Sequence, residues 1–379
     1  MGRPTNETAH EGSIVGRLYL GVGARLGRRL FEEVENTPEP RPRLTAATVL
    51  GTAIAVVVHA ITLALIVGAA LFFLTGLSIA KVVAGVLCLL VAWVLRPRLG
   101  KPPPGVLPRD RFPTLYELTD RMADKLGAPR VHGLTVVPGF TAFIEVVGWR
   151  RRAFLGLGLP LLVALDPQER VALLAHELAH RVNGDPRRGA VTGSALSTLD
   201  GWYDVLYPDP PGDEILEVVA AWLMVGLASV PRAIASLLVH LVWRESQRAE
   251  YLADALARRV AGTQATASML RKLYSEHILY EVMQRKAVHS RNSAGLLDEF
   301  SERIKASRPE SIPLQDSTFR LDATHPPTAF RVQFVESRMS SPEFTLADED
   351  SMAIDRELEP LRNGIETELV DAYRATLYA

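Results

Sequence analysis

The run His176-Glu177-Leu178-Ala179-His180 sets two imidazoles four residues apart, with a carboxylate directly after the first. In a helix, positions i and i+4 share one face, so both imidazoles reach one metal ion, and Glu177 stands where it can take a proton from metal-held water. The chemistry predicted is hydrolysis of a carbonyl by metal-activated water. A mononuclear catalytic zinc needs a third protein ligand and one open position. Glu250, with Asp254 four residues on, meets that need: Glu250 completes a His-His-Glu set, and Asp254 accepts the free N–H of a ligand histidine and fixes its tautomer. Taken singly, the histidine motif also fits a salt-bridged surface helix. Glu250 alone, among Arg244, Glu245, Arg248, Arg258 and Arg259, also fits a solvated charged face. The metal reading rests on the partnership.

These residues need rigid elements to carry them. Asp166-Pro167-Gln168-Glu169 opens a helix, with Asp at the cap, Pro at the first helical position and Glu three residues after the cap; Gly184 is placed to close it. A second helix over 243–261 carries Glu250 and Asp254. Upstream, Leu115, Leu118, Met122 and Leu126 predict a helix over 113–131, and 134–137, 143–147 and 153–157 read as strands separated by Pro138-Gly139 and the charged turn Trp149 to Arg152. From about 163 onward the pattern is helices and loops. The expected fold class is α+β, mainly helical, with a short β-sheet.

The whole chain has 379 residues, 42 Lys+Arg against 43 Asp+Glu, and 48% hydrophobic content. That balance excludes a disordered chain and offers no basic field for nucleic acid. One cysteine, Cys88, excludes a disulfide framework. A mean hydropathy of +0.11 is high for a soluble protein, and its source is local. From Leu44 to Leu95 the only formally charged side chain is Lys81. A bilayer core takes roughly 20 apolar residues as helix, so the run predicts two spans, 46–74 and 77–95, forming a hairpin. Arg25, Arg28, Arg29, Arg41 and Arg43 precede it, and Arg96, Arg98 and Lys101 follow. The positive-inside bias puts both ends in the cytoplasm. The expected organisation is a cytoplasmic segment 1–43, a transmembrane hairpin 44–96, a catalytic domain 97–340 on the cytoplasmic side, and an acidic helical tail 341–379. Ile14 to Val34 reads as a charged flank, with attachment to an anionic membrane surface as the alternative.

A further apolar stretch, Ile215 to Trp243, lies between His180 and Glu250. Both must meet one ion, so the chain crosses a membrane an even number of times between them. Because 187–207 is a poor span, the sequence favours no crossing, with 215–243 as a helical pair broken at Pro231; two crossings are the alternative.

The ordered motifs His176-Glu177-Leu178-Ala179-His180 with Asn183-Gly184-Asp185, then Glu250 and Asp254, then Thr324-His325-Pro326-Pro327 with Arg331, resemble those of the membrane-anchored HtpX and CAAX prenyl endopeptidase family. The likeness covers roughly 44–335. It implies a zincin-like domain with one zinc ion per chain on His176, His180 and Glu250, and with Glu177 as general base. It further implies that His325 stabilises the transition state and that Arg331 positions the acidic groups behind the ligands, Asp254 and Asp185. The family's Asn-Ala-Phe before the edge strand reads here Thr141-Ala142-Phe143.

The expected activity is that of a membrane-bound, multi-pass zinc metalloendopeptidase in membrane protein quality control. Its substrate would be a polypeptide bound as an extended strand beside 143–147, with His325 and Tyr251 as candidates to hold the oxyanion, and packing against the neighbouring helix as the equal alternative for Tyr251. The alternatives are an inactive membrane scaffold, a CAAX-processing enzyme, or a site-2-type intramembrane protease suggested by Leu199-Asp200-Gly201. The last needs the metal helix in lipid, where Asp166, Glu169, Arg170, Arg181 and Asp185 would be costly.

Overall fold

The computed structural model describes residues 14–36, 45–97, 100–148, 150–182, 185–210, 212, 214–289, 292–307 and 325–377. In chain order the helices are α1 (Ile14–Glu35), α2 (Ala46–Leu74), α3 (Ile79–Val94) and α4 (Pro113–Leu126); three strands follow, β1 (Gly133–Val137), β2 (Ala142–Val147) and β3 (Arg152–Gly158). Then come α5 (Leu159–Ala164), α6 (Pro167–Val182), α7 (Asp185–Leu206), α8 (Ile215–Ala261), α9 (Thr263–Lys272), a 3-10 turn, α10 (Glu276–His289), α11 (Leu296–Ala306), α12 (Thr328–Glu336) and α13 (Asp348–Leu377). The fold is mainly helical with one small sheet, as expected. The chain forms two compact units. The first takes 1–42, 101–184 and 246–379; the second takes 43–100 and 185–245. Helix α8 contributes to both.

In the first unit α6 is the central helix: every residue from Glu169 to Ala179 is buried. Val171, Leu173, Leu174 and Leu178 pack into the core with Leu115, Met122, Leu157 and Phe300, each contributing about 1.5–3 kcal/mol through burial. The charges of α6 are absorbed at its start. Glu169 accepts from the backbone N–H of Asp166 at 2.7 Å, the returning half of a capping box, and the buried Lys272 ammonium donates to both Asp166 and Glu169. Gln168 donates to the carbonyls of Ala261 and Phe344, tying the start of α6 to the end of α8.

The sheet runs in the order β1-β3-β2, with β1 parallel and β2 antiparallel to β3. Phe143 lies opposite Gly156, and its ring fills the space that a Cβ at Gly156 would need. At Gly158 a Cβ would come within 2.0 Å of the Gly139 carbonyl oxygen, so only glycine fits. β2 is left on the open edge.

Two segments expected as appendages belong to this unit. Leu30, Phe31 and Val34 of α1 are buried in its core, where a cytoplasmic flank was expected. The acidic tail supplies helix caps. The N-cap positions of α4 and α11, Phe112 and Gly295, offer no side-chain cap; the Glu357 carboxylate accepts from the N–H groups of Thr114 and Leu115, and the buried Glu366 from those of Gly295 and Leu297. Carboxylates are favoured at helix N-termini for this reason.

The second unit joins α2, α3, α7 and the first part of α8. Ala55, Val58, Ala195, Leu199, Ala235 and Leu238 form its core, the three alanines letting helices approach closely. His59 Nε2 lies 3.0 Å from Ser194 Oγ, and the Leu95 carbonyl accepts from Thr62 and Trp202. The second predicted span, 77–95, is the apolar 16-residue α3, which ends before Pro97 and packs along α2 as the second arm of the expected hairpin. One sequence expectation is corrected here. The stretch 215–243 is not broken: α8 runs through Pro231 as one helix of 47 residues. Helix α2 and the 29-residue Ile215–Trp243 part of α8 are each long and apolar enough to cross a membrane. Exposed Leu216, Val219, Trp222, Leu223, Leu227 and Val230 line the latter.

Candidate metal centre

Helices α6 and α8 bring the predicted ligands together. One ligand atom each from His176, His180 and Glu250 can be chosen so that all lie within 4.8 Å of one another. His176 Nε2 is 3.5 Å from Glu250 Oε2, and His180 Nε2 is 3.5 Å from Glu250 Oε1. Ligand atoms about 2.0–2.1 Å from a tetrahedral ion lie roughly 3.3 Å from each other, so the donor set fits a small divalent cation. The neutral-imidazole and carboxylate chemistry of these groups suits zinc. Glu177, buried beside His176 on α6, completes the motif.

Behind the ligands lies a closed ionic network. Asp254, fully buried, sits with Oδ1 3.1 Å from His176 Nδ1, leaving Nε2 directed at the Glu250 carboxylate. Arg331 of α12 donates to Asp254 twice, from Nε at 2.9 Å and from Nη2 at 2.7 Å, the two-pronged geometry suited to a planar guanidinium. Its Nη1 is 3.5 Å from Glu250 Oε2. Burial alone would raise the Glu250 and Asp254 pKa values, but the Arg331 charge and the neighbouring histidines outweigh it and hold both carboxylates ionised. His176 moves oppositely: burial disfavours its charged form, yet Asp254 and Glu250 raise its pKa to about 9. A cation bound between these residues competes with that proton.

His325 joins the same group from the rim. Its Nδ1 lies 2.8 Å from Glu250 Oε2, and its side chain is 60% exposed. Of the two readings of Tyr251 the structure favours packing: its ring is fully buried between Phe31 and Phe334. Tyr251 is therefore packing. Asn183, Gly184 and Thr324 fall outside the described residues, as does the side chain of Asp185, whose backbone opens α7. Asp200 of the Leu-Asp-Gly tripeptide is exposed in the second unit. Sequence reasoning missed Gln247, which is buried and whose amide reaches the His325 carbonyl at 3.5 Å. Its spacing from Glu250 and Asp254, i, i+3 and i+7 on one helical face, was the available signal.

A histidine pair on one helix, one buried and one half-buried, closed by a glutamate from a second helix and braced by an aspartate–arginine pair, defines a candidate metallopeptidase centre in a mainly helical α+β unit. The chain belongs to peptidase family M48, which it matches over residues 109–339. It is 28% identical over 234 residues to the Protease HtpX homolog of Methanopyrus kandleri, covering 59% of this chain and 66% of that protein. It is 30% identical over 154 residues to Protease HtpX of Pseudomonas fluorescens, covering 37% of this chain and 49% of that protein. These matches thus span between about half and two thirds of the relatives' own length. No solved structure matches the chain.

Proposed function

We propose that the protein is a membrane-bound zinc metalloendopeptidase acting in membrane protein quality control. The observation that carries this reading is the His176, His180 and Glu250 group, held at ligand spacing by Asp254 and Arg331 in a chain of family M48. Zinc held there supplies a Lewis acid that polarises the scissile carbonyl and makes a water nucleophilic near neutral pH. Glu177 takes the proton from the attacking water and returns it to the leaving amine. His325 stabilises the charge developing on the carbonyl oxygen from the exposed rim of the site. Asp254 and Arg331 fix His176 in the tautomer that presents Nε2 to the metal. The open edge of β2 pairs with an extended substrate backbone, which tolerates many side chains and suits unfolded segments.

The membrane path follows from the second unit. A Cβ at Gly51 would touch Val242 and Leu241, and Ala235 and Leu238 share a core with Ala55 and Val58. These contacts set the Gly51–Val58 part of α2 against the 235–242 part of α8, with the two helices running in opposite directions there. Helix α7, with 22 residues, rises about 33 Å, so by length it could carry the chain across before α8 returns it, with the cost of placing Asp200 and Asp204 in that path. Two crossings between His180 and Glu250 keep both ligands on the cytoplasmic side. This takes up the two-crossing alternative that the sequence left open.

The test is casein cleavage by the full chain purified in detergent. Activity should be lost to a chelator, restored by zinc, and absent in Glu177→Gln with or without zinc. Cleavage that survives both the chelator and Glu177→Gln would overturn the assignment.

A further inference from the structure

Helix α8 has two working faces. Gln247, Glu250 and Asp254 share one, toward the histidines and Arg331. Arg248 and Tyr251, three residues apart, share another, and positions i and i+2 do not face each other, so Arg248 and Glu250 point differently. The second face is occupied by α1. Both Glu33 carboxylate oxygens accept from Arg248 Nη2, at 3.0 and 3.1 Å, and the Arg248 side chain is buried. The Phe31 ring lies 6.1 Å from that of Tyr251 and 5.1 Å, edge to face, from that of Phe330. Tyr251 adjoins the ligand Glu250, and Phe330 adjoins Arg331. Arg338, just after α12, closes the arrangement by donating to the Glu35 carbonyl at the end of α1. One short stretch of α1 thus backs the helix carrying the third ligand and the helix carrying the arginine that braces it.

We propose that the last turns of α1 are a positioning strap for the metal centre, with Glu33 and Phe31 as its positioning residues. Glu33 neutralises a buried guanidinium two residues from a metal-binding carboxylate, and Phe31 wedges the backs of α8 and α12 so that Glu250 and Arg331 keep their places. The proposal rests on the metallopeptidase reading, and it makes metal retention depend on residues far upstream of family M48's matched region, which begins at 109.

The test uses the full chain in detergent and zinc affinity by chelator competition, with cleavage kinetics in parallel. Glu33→Gln should weaken zinc binding about 10-fold or more, the usual scale for losing a supporting contact. At limiting zinc its Vmax should fall with KM unchanged, and excess zinc should restore it. Glu33→Asp should recover most of the affinity, and Arg28→Ala, on the exposed face of α1, should match wild type. Glu33→Gln binding zinc as tightly as wild type, or losing activity that excess zinc does not restore, would overturn the strap. If Glu33→Gln does not fold, the swapped pair Glu33→Arg with Arg248→Glu decides by the same titration: recovered affinity supports the strap, weak affinity overturns it. Failure of the wild type to bind zinc would instead remove the metallopeptidase reading, and the strap with it.

Discussion

At the scale of single residues, the proposed function separates groups that would hold a metal from groups that would move protons. Glu177 is not one of the three clustered ligands, so Glu177→Gln should leave metal content unchanged and lower cleavage about 10²–10⁴-fold, the range expected for losing a positioned general base. Metal analysis and turnover on the same preparation check this. Asp254 acts through His176 and Arg331. Asp254→Asn should weaken metal binding about 10–100-fold. It should also destabilise the fold by about 3–5 kcal/mol, because Arg331 would keep a buried charge without its partner; chelator competition and denaturant unfolding measure the two effects. His176, Glu177, His180, Glu250 and Asp254 were legible because helical spacing converts directly into shared faces. His325 and Arg331 were reached only through resemblance, since nothing local in His-Pro-Pro says where a loop will lie. Tyr251 shows the converse: a tyrosine beside a ligand carries no signal for whether it points inward to the site or outward into the core.

At the scale of elements, what reads easily is whatever announces itself locally. The capping box at Asp166 and Glu169, the three strands and the helix from Pro113 all depend on neighbours in sequence, and all are present at or near the expected bounds. Helix caps supplied from far away do not read. Phe112 and Gly295 carry no cap of their own, and the carboxylates that serve α4 and α11 come from α13, beyond residue 348. That is a physical account of the acidic tail. It predicts that Glu366→Ala lowers stability by about 1–3 kcal/mol, the cost of losing charged hydrogen bonds to otherwise unmet N–H groups, while metal content per folded chain is unchanged. Denaturant midpoints with zinc analysis of the folded fraction check both halves. Pro231 misled in the other direction, because a proline's lost hydrogen bond can be absorbed inside a long helix packed among others.

At the scale of the whole molecule, apolar length predicted α2 well. It also found α3, the second arm of the hairpin, which stops at 16 residues inside the expected 77–95. The proposed crossings by α7 and α8 would put the loop around Asp209 across the membrane from Glu343. With Cys88 replaced, a cysteine at Asp209 should be labelled by an impermeant thiol reagent from outside intact cells, and one at Glu343 only after lysis. Equal labelling of both would contradict this path. The central claim concerns the metal centre, and one measurement tests it most directly: zinc per chain by elemental analysis, for wild type and Glu250→Ala after identical reconstitution in detergent. The account predicts one zinc per chain in wild type and a marked loss in Glu250→Ala. No zinc in wild type, or full zinc in Glu250→Ala, would contradict it.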